Sequence, residues 1–400
     1  MTSRLTWIDH DSQARERSLR ILALFREKES RDELGIGGIR DAIADRLFPG
    51  TSTIQTRLRY MLFVPWIYSS LESRRVPASR FADEAKQEEI ALVLPLLSAE
   101  DDYGVFGRLA GGGLKRLPSS IYWAGLGSWG IRRFQGSRED YHISVDSLYA
   151  RRGFRRKTHD GEWLEDDLGQ SWHPKLPAPP EGFPSSIDFL LQKCEARFLR
   201  ERLMASCPES LLAWLVRDPV SDASAFPWFH QLSAEFPADI KALMGHARLF
   251  SDVIQGAALV YNLALAEQAK REQLAEEYQT KISDWAANLQ WQDIAIWSLN
   301  DFWANVKGHG HRITPKTEVF VENWVRMALL HREKICQLKE ARSLIRIRET
   351  DLKKGRSRFT NQAALNQWSG KSGLVPLAYR WGTAKMFIED LAAGLRGDDA

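Results

Sequence analysis

Hydrophobic and polar positions along this chain recur mainly with the period of an α-helix. Residues 11–29 set Leu19, Leu22 and Phe25 on one face among charges, which predicts an amphipathic helix. After glycines at 35, 37 and 38, a second stripe runs through Ile39, Ile43 and Leu47. Pro49-Gly50 breaks it, and Thr51, Ser52 or Thr53 offers a cap for the next helix. That helix turns Leu58, Met61, Leu62 and Trp66 inward and is expected to bend at Pro65. Residues 79–97 read as a further helix, acidic early and leucine-rich late. Gly111-Gly112-Gly113 marks a break, and Pro118-Ser119-Ser120 opens a helix through Tyr122, Trp123 and Leu126. The segments IRRF (131–134) and YHISV (141–145) alternate on either side of QGSRED, predicting a β-hairpin, the single strand signal in the chain.

Residues 151–186 change character. They run from the basic RRGFRRK through acidic EWLEDD to HPKLPAPPEGFP, a density of charge and proline that suits an extended surface segment or linker. From 187 to 400 the pattern is almost wholly helical, dominated by long charged helices at roughly Ser251–Leu289 and Lys316–Leu352. The expected class is therefore mainly α and multi-helical. The division expected is a 1–150 domain holding a helix-turn-helix or winged-helix module, a 151–186 linker, and a helical 187–400 domain. No internal repeat is evident.

Composition narrows this picture. With 44% hydrophobic and 27% charged residues in 400, usage is that of a globular chain. No uninterrupted apolar run nears the roughly 20 residues a bilayer span needs, and charges interrupt the start, so no membrane and a cytoplasmic location are expected. Cys194, Cys207 and Cys336 are too few and too far apart for a disulfide framework or zinc spacing, and read as buried free thiols. Fifteen tryptophans, several at helical spacing (Trp285, Trp291, Trp297, Trp303, Trp324), read as packing anchors whose indole N–H needs a partner. A base-stacking platform is the functional alternative.

A net charge of +3 decides nothing about partners, so the distribution of charge has to. Three clusters stand out. In the first, a helix-turn-helix at 38–64 would place Gln55, Arg57 and Arg59 at the start of a recognition helix, with Gln55 and Arg57 touching bases. In the second, a winged helix over 105–150 would carry Arg132, Arg133 and Arg138 on its wing. Arg151, Arg152, Arg155, Arg156 and Lys157 follow it. In the third, residues 332–358 hold ten Lys or Arg against four Asp or Glu. There Arg332, Lys339, Arg342, Arg346 and Lys353 share a stripe beside Leu338, Ile345 and Leu352. Each cluster has a plain structural reading as well, namely core helices joined by a turn or a solvated charged face.

Chemistry is otherwise sparse. His309-Gly310-His311 lacks a further ligand at metal-binding spacing and reads as an interhelix loop. No Walker phosphate loop, nucleophile elbow or HExxH pattern occurs, so no cofactor is expected.

Three stretches, TWIDHD (6–11), DELGIGGIRDAIADRLFPGTSTIQTRLRYMLFVPWI (32–67) and LVPLAYRWGTAKMFIEDLAAGL (374–395), carry a resemblance to an uncharacterised bacterial family known as a domain of unknown function. The resemblance runs nearly end to end. It implies a setting in mobile or defence islands beside helicases and nucleases, and assigns no catalytic residue. Tyr379-Arg380-Trp381 within it reads as a dock for the last helix. The leading expectation is a DNA- or RNA-binding or assembly subunit, with a helicase or nuclease as protein partner. A purely protein-binding scaffold is the alternative, and an enzyme with an unfamiliar site, metal-dependent through His309 and His311, is the third.

Overall fold

Most of the helical stripes become helices. The computed structural model describes residues 32–108, 116–153 and 170–397. The helix expected at 11–29, the Gly111–Gly113 break, and Arg155, Arg156 and Lys157 lie outside the described residues. In chain order the first helices are α1 (Gly37–Leu47), α2 (Tyr60–Ser73), α3 (Ala78–Ala91), α4 (Val93–Ser98), α5 (Pro118–Ser128) and α6 (Arg138–Gly153). Next come α7 (Lys193–Ser206), α8 (Leu211–Leu215), α9 (Ala238–Gln268), α10 (Glu272–Asn288), α11 (Trp291–Ala295) and α12 (Leu299–Val306). The last are α13 (Pro315–His331), α14 (Lys339–Lys353), α15 (Gln362–Asn366) and α16 (Trp381–Arg396). The protein is mainly α and multi-helical. Among the described residues the sole β pairing is an isolated bridge between Arg132 and Trp172.

The expected hairpin is not formed, and with it goes the wing. Its second half lies in α6, for two local reasons. Ser137 and Asp140 cap each other's backbone, Ser137 N–H donating to Asp140 Oδ2 at 3.0 Å and Asp140 N–H to Ser137 Oγ at 3.0 Å. Tyr141, Val145 and Leu148 then bury one helical face, a spacing that the alternation of YHISV conceals. Glu139 and Asp140 in the first turn and Arg151 and Arg152 in the last match the helix dipole.

The second helix of the expected helix-turn-helix begins at Tyr60, not near Thr51. Residues 51–59 are irregular, with Gly50 at φ +77° and Thr51 Oγ1 donating back to the Phe48 carbonyl at 2.6 Å. The long helices of the second half are also interrupted. Lys270 between α9 and α10, Arg332 after α13 and Lys354 after α14 all take positive φ, at 56°, 45° and 51°. Non-glycine residues reach that region at a cost of roughly 1–2 kcal/mol each. Residues 332–337 form a 3-10 turn.

The chain divides into two compact units, each assembled from separate stretches: unit 1 from residues 1–43 and 243–377, unit 2 from 44–242 and 378–400. In unit 1 the tryptophans anchor the core as their spacing implies. Trp285 donates to the Asp252 carbonyl at 2.8 Å, Trp324 to that of Val253 at 2.9 Å, Trp303 to Glu322 at 2.9 Å and Trp297 to His246 Nδ1 at 2.9 Å. Helix α9 is long and apolar enough to cross a membrane, and 78% of its most apolar stretch is buried inside the protein, as in a core helix.

Unit 2 has an aromatic core. Tyr68, Trp123, Tyr141 and Trp172 lie edge-on or tilted at centroid distances of 5.4–6.0 Å. Residues 170–186, irregular with turns at 174–175 and 181–185, pack into this unit, where Trp172 is buried and Trp66 donates to the Pro177 carbonyl at 2.7 Å. The Tyr379-Arg380-Trp381 motif docks α16 as expected. Arg380 bonds Asp45 and the Thr51 carbonyl, and Trp381 donates to the Ser224 carbonyl at 3.0 Å. The three thiols are free, but of them Cys336 alone is buried, while Cys194 is exposed at the start of α7.

Two tests follow from this packing. At Gly256 a Cβ would lie 2.3 Å from the nearest Trp285 ring atom, so Gly256→Ala must push a buried indole off its backbone bond. A loss of about 1–3 kcal/mol is expected, read as a fall in melting temperature, whereas Gly245→Ala, exposed in the same helix with open space around it, should melt higher than the parent by about 0.5–1 kcal/mol of stability. The second test concerns Glu89, which is 1% exposed and accepts the Ser119 N–H at 2.7 Å. Burial lifts its pKa from 4.5 to about 7, against the pull of the Ser119 bonds and Arg138. A carboxyl raised in the folded state favours folding most fully below its unfolded pKa, and that contribution is lost as pH rises through the folded value. Glu89→Gln should therefore match the parent near pH 5 and melt higher at about pH 8. Parallel pH–melting curves for the two proteins would refute the buried-acid account.

Candidate nucleic-acid interface

In unit 2 most of the expected contact residues are already engaged. Gln55 is buried, donating to the Gly50 carbonyl at 3.1 Å and accepting the Ser52 N–H at 2.8 Å. Arg57 holds Asp390 at 2.9 Å and Asp101 at 2.5 Å, with its guanidinium 4.7 Å from the Phe189 ring centre. The hydrogen bond from Arg57 keeps the exposed Asp101 below the usual carboxylate range. Burial pushes Asp390 the other way, against the same cation. Arg59 is 4% exposed and bridges Asp188 at 2.7 Å and Glu195 at 2.8 Å. Glu195 has no exposure, and its second oxygen accepts the Gln192 N–H at 3.0 Å to cap α7.

The former wing residues behave alike. Arg132 lies 4.8 Å from the Trp123 ring centre and donates to the carbonyls of Trp123 and Gly136 at 3.3 Å. Burial lowers its pKa, with no carboxylate to offset it. Arg133 reaches Gln170 at 3.4 Å, and Arg152 bonds Glu72 at 2.7 Å and Ser171 at 3.0 Å. Arg151 is exposed. The rim of a groove of about 1280 Å³ carries Arg57 and Arg59 beside Glu100, Glu181, Leu94 and Leu190, so its unspent charge is acidic.

Unit 1 carries the third cluster, and it splits in two. At 100° per residue, Lys339, Arg342, Arg346 and Lys353 share a stripe, but the stripe runs along the border of the buried face of α14. Lys353 is 8% exposed and pairs with Glu33, and Arg342 pairs with Glu267. Burial lowers Lys353 to a pKa of about 8. Arg346 stays exposed over Phe359, its guanidinium 5.0 Å from the ring centre and 3.2 Å from Gln268 Oε1. Lys339 is exposed and makes no ion pair among the described residues. Two neighbours that the helical stripe leaves out, Lys334 and Lys354, are also exposed and without an ion pair there. Arg332 covers Trp291 at 5.6 Å. Across 332–356, six cations are exposed against three acids, Glu333, Glu340 and Asp351. The charge count over 332–358 includes Lys334 and Lys354, but a helical projection does not place them, since both lie in 3-10 turns flanking the helix.

No group of three or more His, Cys, Asp or Glu able to hold a metal comes together among the described residues. His309 and His311 sit in the loop between α12 and α13.

Helices, buried ion pairs and a basic edge define a multi-helical protein. The chain belongs to a family of unknown function (DUF6361), whose model matches residues 2–394. No curated protein and no solved structure matches it.

The two kinds of arginine and lysine are separable by stability. Arg59→Ala strips the cation from a fully buried carboxylate and should cost about 3–5 kcal/mol. Lys339→Ala should fall within about 0.5 kcal/mol of the parent. Denaturant titration distinguishes them, and similar midpoints for both variants would refute the assignment.

Proposed function

We propose that the chain binds nucleic acid along its phosphate backbone, without reading sequence, through the exposed basic edge of unit 1 between Arg332 and Arg356. One observation carries this reading: six exposed cations against three exposed acids within a continuous stretch, with Lys334, Lys339 and Lys354 unspent on any carboxylate. Phosphate neutralisation needs charge and little geometry, so lysines on turns and a helix flank suit it. Base contacts are left out, because the polar atoms of Gln55 and Arg57 are bonded within unit 2.

Fluorescence anisotropy with labelled duplex and single-stranded oligonucleotides across a salt series tests this. The expected plot of log affinity against log salt is linear. Reversing Lys334, Lys339 and Lys354 to Glu should flatten its slope by about one per residue and weaken binding to all sequences alike. Absence of binding at low salt, or a triple variant that binds as the parent does, would sink the proposal.

A further inference from the structure

The acidic groove of unit 2 is lined along one side by a continuous run, residues 185–193. Between the 181–185 turns and α7 this run forms no helix and bends once, at Phe189. Burial alternates along it: Ile187, Phe189 and Leu191 are buried, whereas Asp188 and Leu190 are exposed. That is the period of an extended strand. Packing holds the run in place. The Phe189 ring lies 5.4 Å from that of Tyr60 and 4.7 Å from the Arg57 guanidinium. Leu191 sits so close to α16 that a Cβ at Gly394 would fall 2.7 Å from its own.

Backbone groups in this run are engaged at one set of alternate residues only. Asp188 gives its carbonyl to Arg59 at 3.2 Å, and its carboxylate takes the Leu190 N–H at 2.9 Å. The N–H and C=O groups of Ile187, Phe189 and Leu191 make no hydrogen bond among the described residues. Phe189 and Leu191 are each 2% exposed, so bulk solvent reaches little of them. Buried backbone groups are nearly always paired, and leaving them unpaired costs about as much as a lost hydrogen bond. An antiparallel strand bonds both groups of every second residue on the edge it joins, which is the set left over here. The groove's lining also holds five acids against three cations. Glu100 and Glu181 are exposed and make no ion pair among the described residues, and Leu94 and Leu190 are exposed in the same lining.

We propose that this groove binds an extended peptide segment of a partner protein, basic and apolar at alternate positions, added as a short strand along Ile187–Leu191. The segment's backbone supplies the donors and acceptors that the run lacks. Its lysines or arginines meet Glu100 and Glu181, and its apolar side chains cover Leu94 and Leu190. The bend at Phe189 keeps the paired run to two or three residues. A nucleic-acid strand is disfavoured here by the same acidic lining. The basic edge of unit 1 takes no part, so the inference does not rest on nucleic-acid binding.

Fluorescence anisotropy of the full chain with a labelled octapeptide of alternating leucine and lysine tests the inference. Saturable binding is expected, and the analogue with glutamate for lysine should bind about tenfold more weakly or worse. N-methylation of every second backbone nitrogen keeps charge and side chains but removes donors. Tried in both frames, it should weaken binding about tenfold in one of them, the worth of one or two hydrogen bonds. Changing Glu100→Lys and Glu181→Lys together should also weaken binding about tenfold. Both positions are exposed and unpaired, so that variant should melt as the parent does. Hydrogen exchange at 186–192 should slow when the octapeptide is bound. No saturable binding, equal binding by the glutamate peptide or by both N-methylated ones, or unchanged exchange at 186–192 would overturn the proposal. So would self-association of the chain that the octapeptide disrupts, which makes a second copy the occupant.

Discussion

Glu195 lies wholly out of solvent, and Arg59 is the cation that pairs with it there. The same condition governs unit 1, where Glu33 and Glu349 are buried beside Lys353, Arg358 and Tyr261. A buried charge missing its partner is worth several kcal/mol of instability, whereas an intact pair adds little over an apolar replacement. Such pairs therefore fix which segments meet more than they raise stability. They also decide the fate of the basic clusters. Arginines near carboxylates destined for the interior are drawn in with them, and the cations left at the surface are those with no such neighbour.

Helix identity was legible because the 3.6-residue period survives across most of the chain, and tryptophan spacing signalled anchors that do find N–H partners. The boundaries were harder to read. Glycine marks left-handed helix ends in a sequence, yet Lys270, Arg332 and Lys354 occupy those positions here, so two long helices read as continuous when each is broken. The false hairpin has a different origin. Five residues, YHISV, satisfy a period of two and a period of four together, and the Ser137–Asp140 cap, three residues apart, settles the choice for helix.

The candidate interface was legible only in outline. A helical projection put Lys339, Arg342, Arg346 and Lys353 on one stripe but could not say on which side of the solvent border it falls. That depends on Glu267 and Glu33, which lie 75 residues from Arg342 and 320 from Lys353. In the same way Arg57 meets Asp390 across 333 residues. No local pattern encodes such distant partners. Local composition could not separate an arginine that faces solvent from one that neutralises the core.

The interleaving of the two units has a consequence for synthesis. A chain emerging from its N-terminus delivers Glu33 long before Lys353 and Arg358, and delivers Arg57 and Asp45 long before Asp390 and Arg380. Each unit therefore waits on a late segment, unit 1 on residues near 353 and unit 2 on α16. Throughout that interval the early carboxylates and arginines stay hydrated for want of partners. Both cores stay incomplete until the residues near 353 have left the ribosome, so a nascent chain stalled in its second half before that point would hold two unfinished cores at once.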